Sequence, residues 1–228
     1  MKANYLIYLI LAQKNIKNIR FGFKMTVLYT PLDLPALEFD REEFIKWHET
    51  KRHRNRDNIN YDKKDFIAPW LVSFAYHVDY GWCNRFMKVI PNFQDILYNH
   101  LPYTDITYVN FLEQKIPCQL HQDVGSRPDE EDEPGAYKAF MVYDDPLMYF
   151  QKGQTKSTVS KEKLYIHHPN ELTKWFAINN YDAYHAADLP DEGKRKIIMT
   201  ILGKLDKARH KEILDRSLEK YRDYIIKI

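Results

Sequence analysis

The sequence contains little cysteine, no apolar run long enough to cross a bilayer, and no excess of charge of one sign. Its two cysteines, Cys83 and Cys118, exclude a disulfide-built scaffold and a cysteine-rich zinc site. The 34 lysines and arginines nearly balance the 32 aspartates and glutamates, so the net charge of +2 provides no global field for nucleic acid or a membrane surface. We therefore expect a cytoplasmic protein in a reducing compartment, with any contact to a polyanion confined to a local patch.

The N-terminal residues differ in character from the rest of the chain. Residues 5–12 form an apolar run behind Lys2 that imitates the hydrophobic segment of a signal peptide. The run is too short to span a bilayer and no cleavage site of small residues follows it, so we expect neither a signal peptide nor a membrane span. Met25 opens a strand-like segment and is a second candidate start. We therefore predict an N-terminal extension of unassigned role at residues 1–24, followed by one domain at residues 25–228.

The composition that is present favours a folded, β-rich domain. The chain is 44% hydrophobic and 14% aromatic, which excludes intrinsic disorder as the main state and suits a packed β core. Its 228 residues fit a single domain of substantial size. Within it we predict a helical or mixed support at residues 25–103, a β core at 104–205 and a C-terminal helix at 206–228.

Three segments have helical patterns. Asp40 is an N-cap candidate with Glu43 three positions later, which predicts a helix over residues 40–57. Apolar spacing predicts a second helix over 92–100 and a third over 207–227. These helices flank the β core and are expected to support it.

Short strand-like runs separated by Gly, Pro, Asn and Asp fill the middle of the chain. Their number suits a jelly roll or double-stranded β-helix. We therefore predict a mainly β protein of the α+β class, with a double-stranded β-helix (jelly-roll, cupin-like) core between N- and C-terminal helices. The runs cover residues 105–112, 116–123, 136–143, 147–150, 163–167, 174–179 and 194–205.

Two histidines and an aspartate make the sharpest chemical pattern. His121 and Asp123 are two residues apart on a strand-like run, so they face the same side. His185, in a turn after a later strand, is the candidate third ligand. Two histidines and one carboxylate leave open positions on an octahedral ion, as in non-haem Fe(II) oxygenases. Taken singly, His121 and Asp123 also fit a hydrogen-bonded pair at a strand end, and His185 also fits a loop histidine.

Arg195 is the candidate partner for an anion. Strand alternation puts it on the same face as Ile197 and Met199, and a guanidinium on an apolar face requires a carboxylate or similar group. Lys194 and Lys196 are rival cations on the opposite face of the strand, so Arg195 is preferred here.

The pattern His121-x-Asp123, His185 and Arg195 resembles the 2-oxoglutarate and Fe(II)-dependent dioxygenase superfamily, particularly prolyl and aspartyl/asparaginyl hydroxylases of phage and bacterial type. The resemblance spans about residues 104–205. It implies that His121, Asp123 and His185 bind Fe(II) and that Arg195 binds the distal carboxylate of 2-oxoglutarate. Many members continue Arg-x-Ser, whereas Ile197 stands at that last position here. Tyr108 is a candidate for the hydroxyl group that would contact the co-substrate in place of that serine.

The resemblance further implies an enzyme that uses 2-oxoglutarate and dioxygen as co-substrates and releases succinate and carbon dioxide. Its second product is expected to be a hydroxylated peptide side chain or amino-acid-like small molecule. Two alternatives stay open. One is a non-enzymatic cupin-like module that binds a metal or a small acid, and the other is a nucleic-acid-directed oxygenase that uses the basic cluster at residues 51–56. The residues specify neither the substrate nor the oligomeric state.

Overall fold

The computed structural model describes residues 26–50, 70–115, 117–122, 134–144, 148–153, 158–179 and 182–228. Three features of the sequence prediction lie outside these described residues: the extension at 1–24, the basic cluster at 51–56 and Asp123. The described residues form a mainly β structure with two antiparallel sheets, compatible with a β-sandwich or jelly roll. The coarse fold class is thereby confirmed.

The larger sheet contains eight of the described strands: β1 (Val27–Pro31), β2 (Trp70–His77), β3 (Gly81–Trp82), β4 (Tyr103–Gln114), β6 (Pro134–Tyr143), β9 (Trp175–Ile178), β11 (Lys196–Leu205) and β12 (Ile226–Lys227). The smaller sheet contains β5 (Cys118–His121), β7 (Met148–Gln151), β8 (Leu164–Tyr165) and β10 (Tyr184–Ala187). The strand order is β12-β1-β9-β6-β11-β4-β2-β3 in the larger sheet and β5-β10-β7-β8 in the smaller one.

The described α-helices all contribute to a core on one face of the larger sheet: α1 (Arg41–Thr50), α2 (Phe86–Val89), α3 (Phe93–Asp95), which continues as a π-helical turn at Ile96–His100, and α4 (Lys207–Lys220). The predicted N-cap of α1 is confirmed, because the Glu43 backbone amide donates to Asp40 Oδ1 over 2.8 Å. The predicted C-terminal helix ends early, at Lys220, because Ile226 pairs with Tyr29 at the edge of the larger sheet. Across the described ranges, no helix has the length and apolar character that a bilayer span requires.

Both faces of the larger sheet are covered, and this decides where each side chain of β11 goes. Ile197 and Met199 belong to the core between this sheet and the helices, together with Phe44 of α1. Ile198 belongs to a second core, between the two sheets, together with Phe150 of β7. Alternation along the strand therefore sends odd-numbered positions of β11 toward the helices and even-numbered ones toward the smaller sheet. We call these the helix face and the inner face.

The segment around His185 differs from its sequence prediction. A turn was expected there, but Tyr184–Ala187 form β10, a fully buried strand between β5 and β7. Four residues are too few for a clear period of two, and tertiary pairing on both sides supplies the stability that local sequence does not.

Candidate metal centre

His121 and His185 lie side by side on neighbouring strands of the smaller sheet. They are direct partners in the β5–β10 register, and their ring centroids are 4.2 Å apart. Directly opposite residues of an antiparallel pair project from the same face. His185 is also paired with Phe150, a residue of the core between the sheets, so both imidazoles are on the inner face. The structure thus brings together two of the sequence-predicted ligands.

A β-bulge in β5 extends this face beyond the histidines. The register pairs His185 with His121 but Ala187 with Cys118, so three steps along β5 match two steps along β10. Cys118 and His121 consequently share the inner face, and the Cys118 Sγ lies 3.8 Å from His121 Nδ1. Regular alternation would place residues three apart on opposite sides of the strand, so the bulge is what brings Cys118 and His121 to the same face.

The hydrogen bonding of His121 orients its ring. Its Nδ1 lies 2.6 Å from the carbonyl oxygen of Gln119, which makes Nδ1 the protonated, donating nitrogen. The basic lone pair is then on Nε2, the nitrogen that a metal ion requires. Within the described ranges, no group of three or more His, Cys, Asp or Glu side chains is arranged to hold a metal. The third ligand, Asp123, stays a sequence prediction.

Arg195 lies on the other side of the larger sheet from these histidines. Its Nε donates to Glu113 Oε1 and its Nη1 to Glu49 Oε1, each over 2.8 Å. Glu113 is the register partner of Ile197, on the helix face. The prediction that Arg195 faces the histidine site is therefore wrong, because Arg195 is on the helix face. Alternation along β11 predicts correctly which residues share a face with Arg195. Both faces of this strand are buried, however, so the apolar character of that face does not show that it points toward the smaller sheet.

Glu113 is the centre of a buried ionic cluster on the helix face. It is 1% exposed and contacts Lys115 Nζ at 2.8 Å and His48 Nε2 at 3.4 Å in addition to Arg195. Burial by itself raises the pKa of Glu113, but hydrogen bonds from His48, Arg195 and Lys115 outweigh it and hold the pKa well below its usual range. His48 also contacts Ser73 Oγ at 2.7 Å. This serine, histidine and glutamate set is fully buried and joins α1 to the sheet, where no substrate reaches it.

Lys196 is the cation that β11 contributes to the inner face. Its side chain is completely buried, and burial lowers its pKa from 10.5 to about 8, against the opposing influence of Cys118 and Asp188. Gln114 Nε2 bridges the sheets here by donating to the carbonyl oxygens of Ala187 and Asp188, over 2.9 and 3.2 Å. Lys196 therefore lies at a closed end of the space between the sheets. Sequence reasoning considered it only as a rival of Arg195.

Tyr108 lies on the inner face but far from Lys196. It is the register partner of Leu202, and its ring contacts Phe74 with centroids 6.4 Å apart. Six residues of extended strand separate Leu202 from Lys196, about 20 Å at roughly 3.3 Å per residue. The structure therefore does not bring Tyr108 next to the inner-face lysine, and its side chain is at the open, half-exposed end of the same surface.

The arrangement offers two adjacent imidazoles on one sheet and a buried ammonium on the facing one, with apolar side chains between them. Two neutral imidazoles suit a first-row transition metal, and a buried ammonium suits an anion that enters with it. A scan against protein-family models finds no match for this chain, and a search of curated proteins finds none that is significantly similar to it.

Proposed function

We propose that the protein is an Fe(II)- and 2-oxoglutarate-dependent oxygenase, with His121 and His185 as two of its iron ligands. The observation that carries the proposal is the pairing of these rings, which come from strands well separated in the chain and meet on the inner face. Asp123, two residues after His121, is proposed as the third ligand. This donor set fits Fe(II), because two imidazoles and one carboxylate leave coordination positions for other ligands.

The path of the chain supports the proposal at the level of fold. From β4 to β7 consecutive strands alternate between the larger and the smaller sheet, and from β8 to β11 they alternate again. Two such series wound together are what a double-stranded β-helix contains. We propose this finer architecture for the core, with the metal ligands at the end of β5 and within β10.

Lys196 replaces Arg195 as the proposed anchor of the co-substrate. A buried ammonium attracts an anion more strongly than an ammonium in water does. A dicarboxylate whose keto-acid end is held by the metal presents its distal carboxylate to such a group. Arg195 is already bonded to Glu113 and Glu49 on the helix face, whereas Lys196 is on the same side as the histidines.

Bound iron with 2-oxoglutarate supplies dioxygen activation and C–H oxidation, which no protein side chain provides. The chain's own residues hold and shield these groups. His121 and His185 donate ring nitrogens, and Lys196 binds and orients the carboxylate. Phe150 and Ile198, which are nearly completely buried between the sheets, exclude water from the space beside the histidines.

The metal part of the proposal predicts that His185→Ala and His121→Ala each weaken Fe(II) binding at least tenfold, because each removes a nitrogen ligand. Dissociation constants measured anaerobically on the full-length protein test this. His100→Ala is the matched control, because His100 is an exposed histidine beside Asp95 and is expected to leave the affinity unchanged.

Equal affinities in all four proteins would contradict the metal site. A different result separates the two classes of function: iron binding that depends on both histidines, without conversion of 2-oxoglutarate to succinate in air, would favour the non-enzymatic binding module.

A further inference from the structure

A row of polar side chains crosses the inner face of the larger sheet. Thr200 of β11 is the register partner of Asn110 on β4 and of Lys138 on β6. An amide, a hydroxyl and an ammonium thus occupy adjacent positions on three neighbouring strands. Partners directly opposite each other are within about 5.5 Å at their Cα atoms, so these groups can act on one ligand.

Two members of the row are buried without the hydrogen bonds that burial requires. Asn110 is 8% exposed and Thr200 is 5% exposed. Asn110 Oδ1 and Thr200 Oγ1 are inaccessible to solvent and have no hydrogen-bond partner among the residues that the structure describes. Leaving such a group unsatisfied costs about 1–3 kcal/mol, so atoms of this kind point to a ligand that would satisfy them.

The surroundings of the row restrict the ligand. Phe74 is paired with Asn110 at one end and Phe176 with Lys138 at the other, so the polar groups lie between apolar walls. Ile198, which belongs to the same core as Phe150 beside His185, separates Thr200 from Lys196 along β11. The histidine pair therefore faces a surface with two distinct polar positions, Lys196 at the closed end and the row nearer the open end.

We propose that Thr200 and Lys138 bind the carboxylate of the primary substrate, that Asn110 accepts a hydrogen bond from an N–H group beside it, and that this substrate is a small carboxylic acid with an apolar body. Lys138 supplies the charge, the Thr200 hydroxyl donates to a carboxylate oxygen, and Asn110 Oδ1 is an acceptor that an N–H group of the same ligand satisfies. Because Asn110 and Thr200 are more than nine-tenths buried, only a terminal group that enters end-on reaches them. The body of the acid lies against Phe74 and Tyr108. This inference rests on the proposed function for the identity of the reaction, but its binding test does not.

The test compares N-acetyl-L-phenylalanine with N-acetyl-L-phenylalaninamide, which differ only in the carboxylate. Binding to the full-length, iron-depleted protein is followed by saturation-transfer NMR in the Lys196→Met background, where the deeper cation is absent. We expect the acid to bind at least tenfold more tightly than the amide. Lys138→Met should abolish this preference and Thr200→Val should reduce it, whereas Lys220→Met, on α4, should preserve it.

Equal binding of acid and amide would overturn the inference. A preference for the acid that survives both Lys138→Met and Thr200→Val would also overturn it. So would a preference that is present with Lys196 but lost in the Lys196→Met background, because the acid would then occupy the co-substrate position. Thr200→Val keeps the shape of the side chain, so it provides the answer if Lys138→Met fails to fold. Because no iron is present, the outcome does not depend on whether the metal proposal holds.

Discussion

Lys196→Met is expected to weaken 2-oxoglutarate binding about 100-fold while leaving the Fe(II) affinity unchanged. In the proposed site the buried ammonium makes a charge-assisted interaction with the distal carboxylate, and losing one partner of such a pair costs about 2–5 kcal/mol. Methionine retains most of the apolar volume of the lysine stem, so the loss reports the charge. Isothermal titration of the iron-loaded protein under anaerobic conditions measures it.

Lys194→Met is the matched control. Lys194 is an exposed neighbour whose Nζ is 3.2 Å from Asp191 Oδ2, and its replacement is expected to leave the affinity for 2-oxoglutarate unchanged. The wild-type affinity should also fall as the pH rises above about 8, where Lys196 loses its proton, and Lys196→Met should lose this dependence. Two results would identify Arg195 rather than Lys196 as the residue that binds the distal carboxylate. One is an unchanged affinity for 2-oxoglutarate in Lys196→Met, and the other is a 100-fold loss of that affinity only in a stably folded Arg195→Met variant.

Glu113→Ala is expected to destabilise the fold by about 3–5 kcal/mol. It removes the buried carboxylate that Arg195, Lys115 and His48 share, and breaking a buried ion pair by removing one partner has about this cost. Urea unfolding at pH 7 measures the loss. Glu42→Ala is the control, because Glu42 is an exposed partner of Arg41 and its removal should change the stability by less than about 1 kcal/mol.

The pH dependence of stability gives an independent measurement of the same cluster. The folded protein holds the pKa of Glu113 below its ordinary value of 4.5, so the unfolded chain takes up a proton first as the pH falls. The stabilisation by Glu113 is therefore complete above about pH 4.5 and declines below it, as the pH falls toward the lowered folded pKa. The stability difference between wild type and Glu113→Gln should decrease over this range. A difference that stays constant from pH 7 to pH 3 would contradict the assigned role.

Local patterns in the sequence predicted the elements that depend on local interactions. The N-cap of α1 is one example, because Asp40 and Glu43 make their contact within a single turn. The long apolar run of β11 is another, because a run rich in β-branched residues favours a strand through its local conformation. His121 and His185 were selected on chemical type and order, and the structure brings their rings together.

Features that depend on tertiary packing could not be predicted in the same way. The alternation of β11 separates Arg195 from Lys196 but does not state which face meets the smaller sheet, since both faces are buried. Glu113 escaped notice because a charged residue within a strand is usually exposed, and its partners His48 and Arg195 come from segments distant in the chain. The row of Asn110, Thr200 and Lys138 exists only through the register of three strands.

The measurement that tests the central claim most directly is the anaerobic addition of Fe(II), and then of 2-oxoglutarate, to the full-length protein with the visible spectrum recorded. We predict a weak charge-transfer band that requires both additions, disappears in His185→Ala, is lost at the same ligand concentration in Lys196→Met and persists in Lys194→Met. A protein that binds iron through His121 and His185 but develops no band with 2-oxoglutarate at any concentration would contradict the claim.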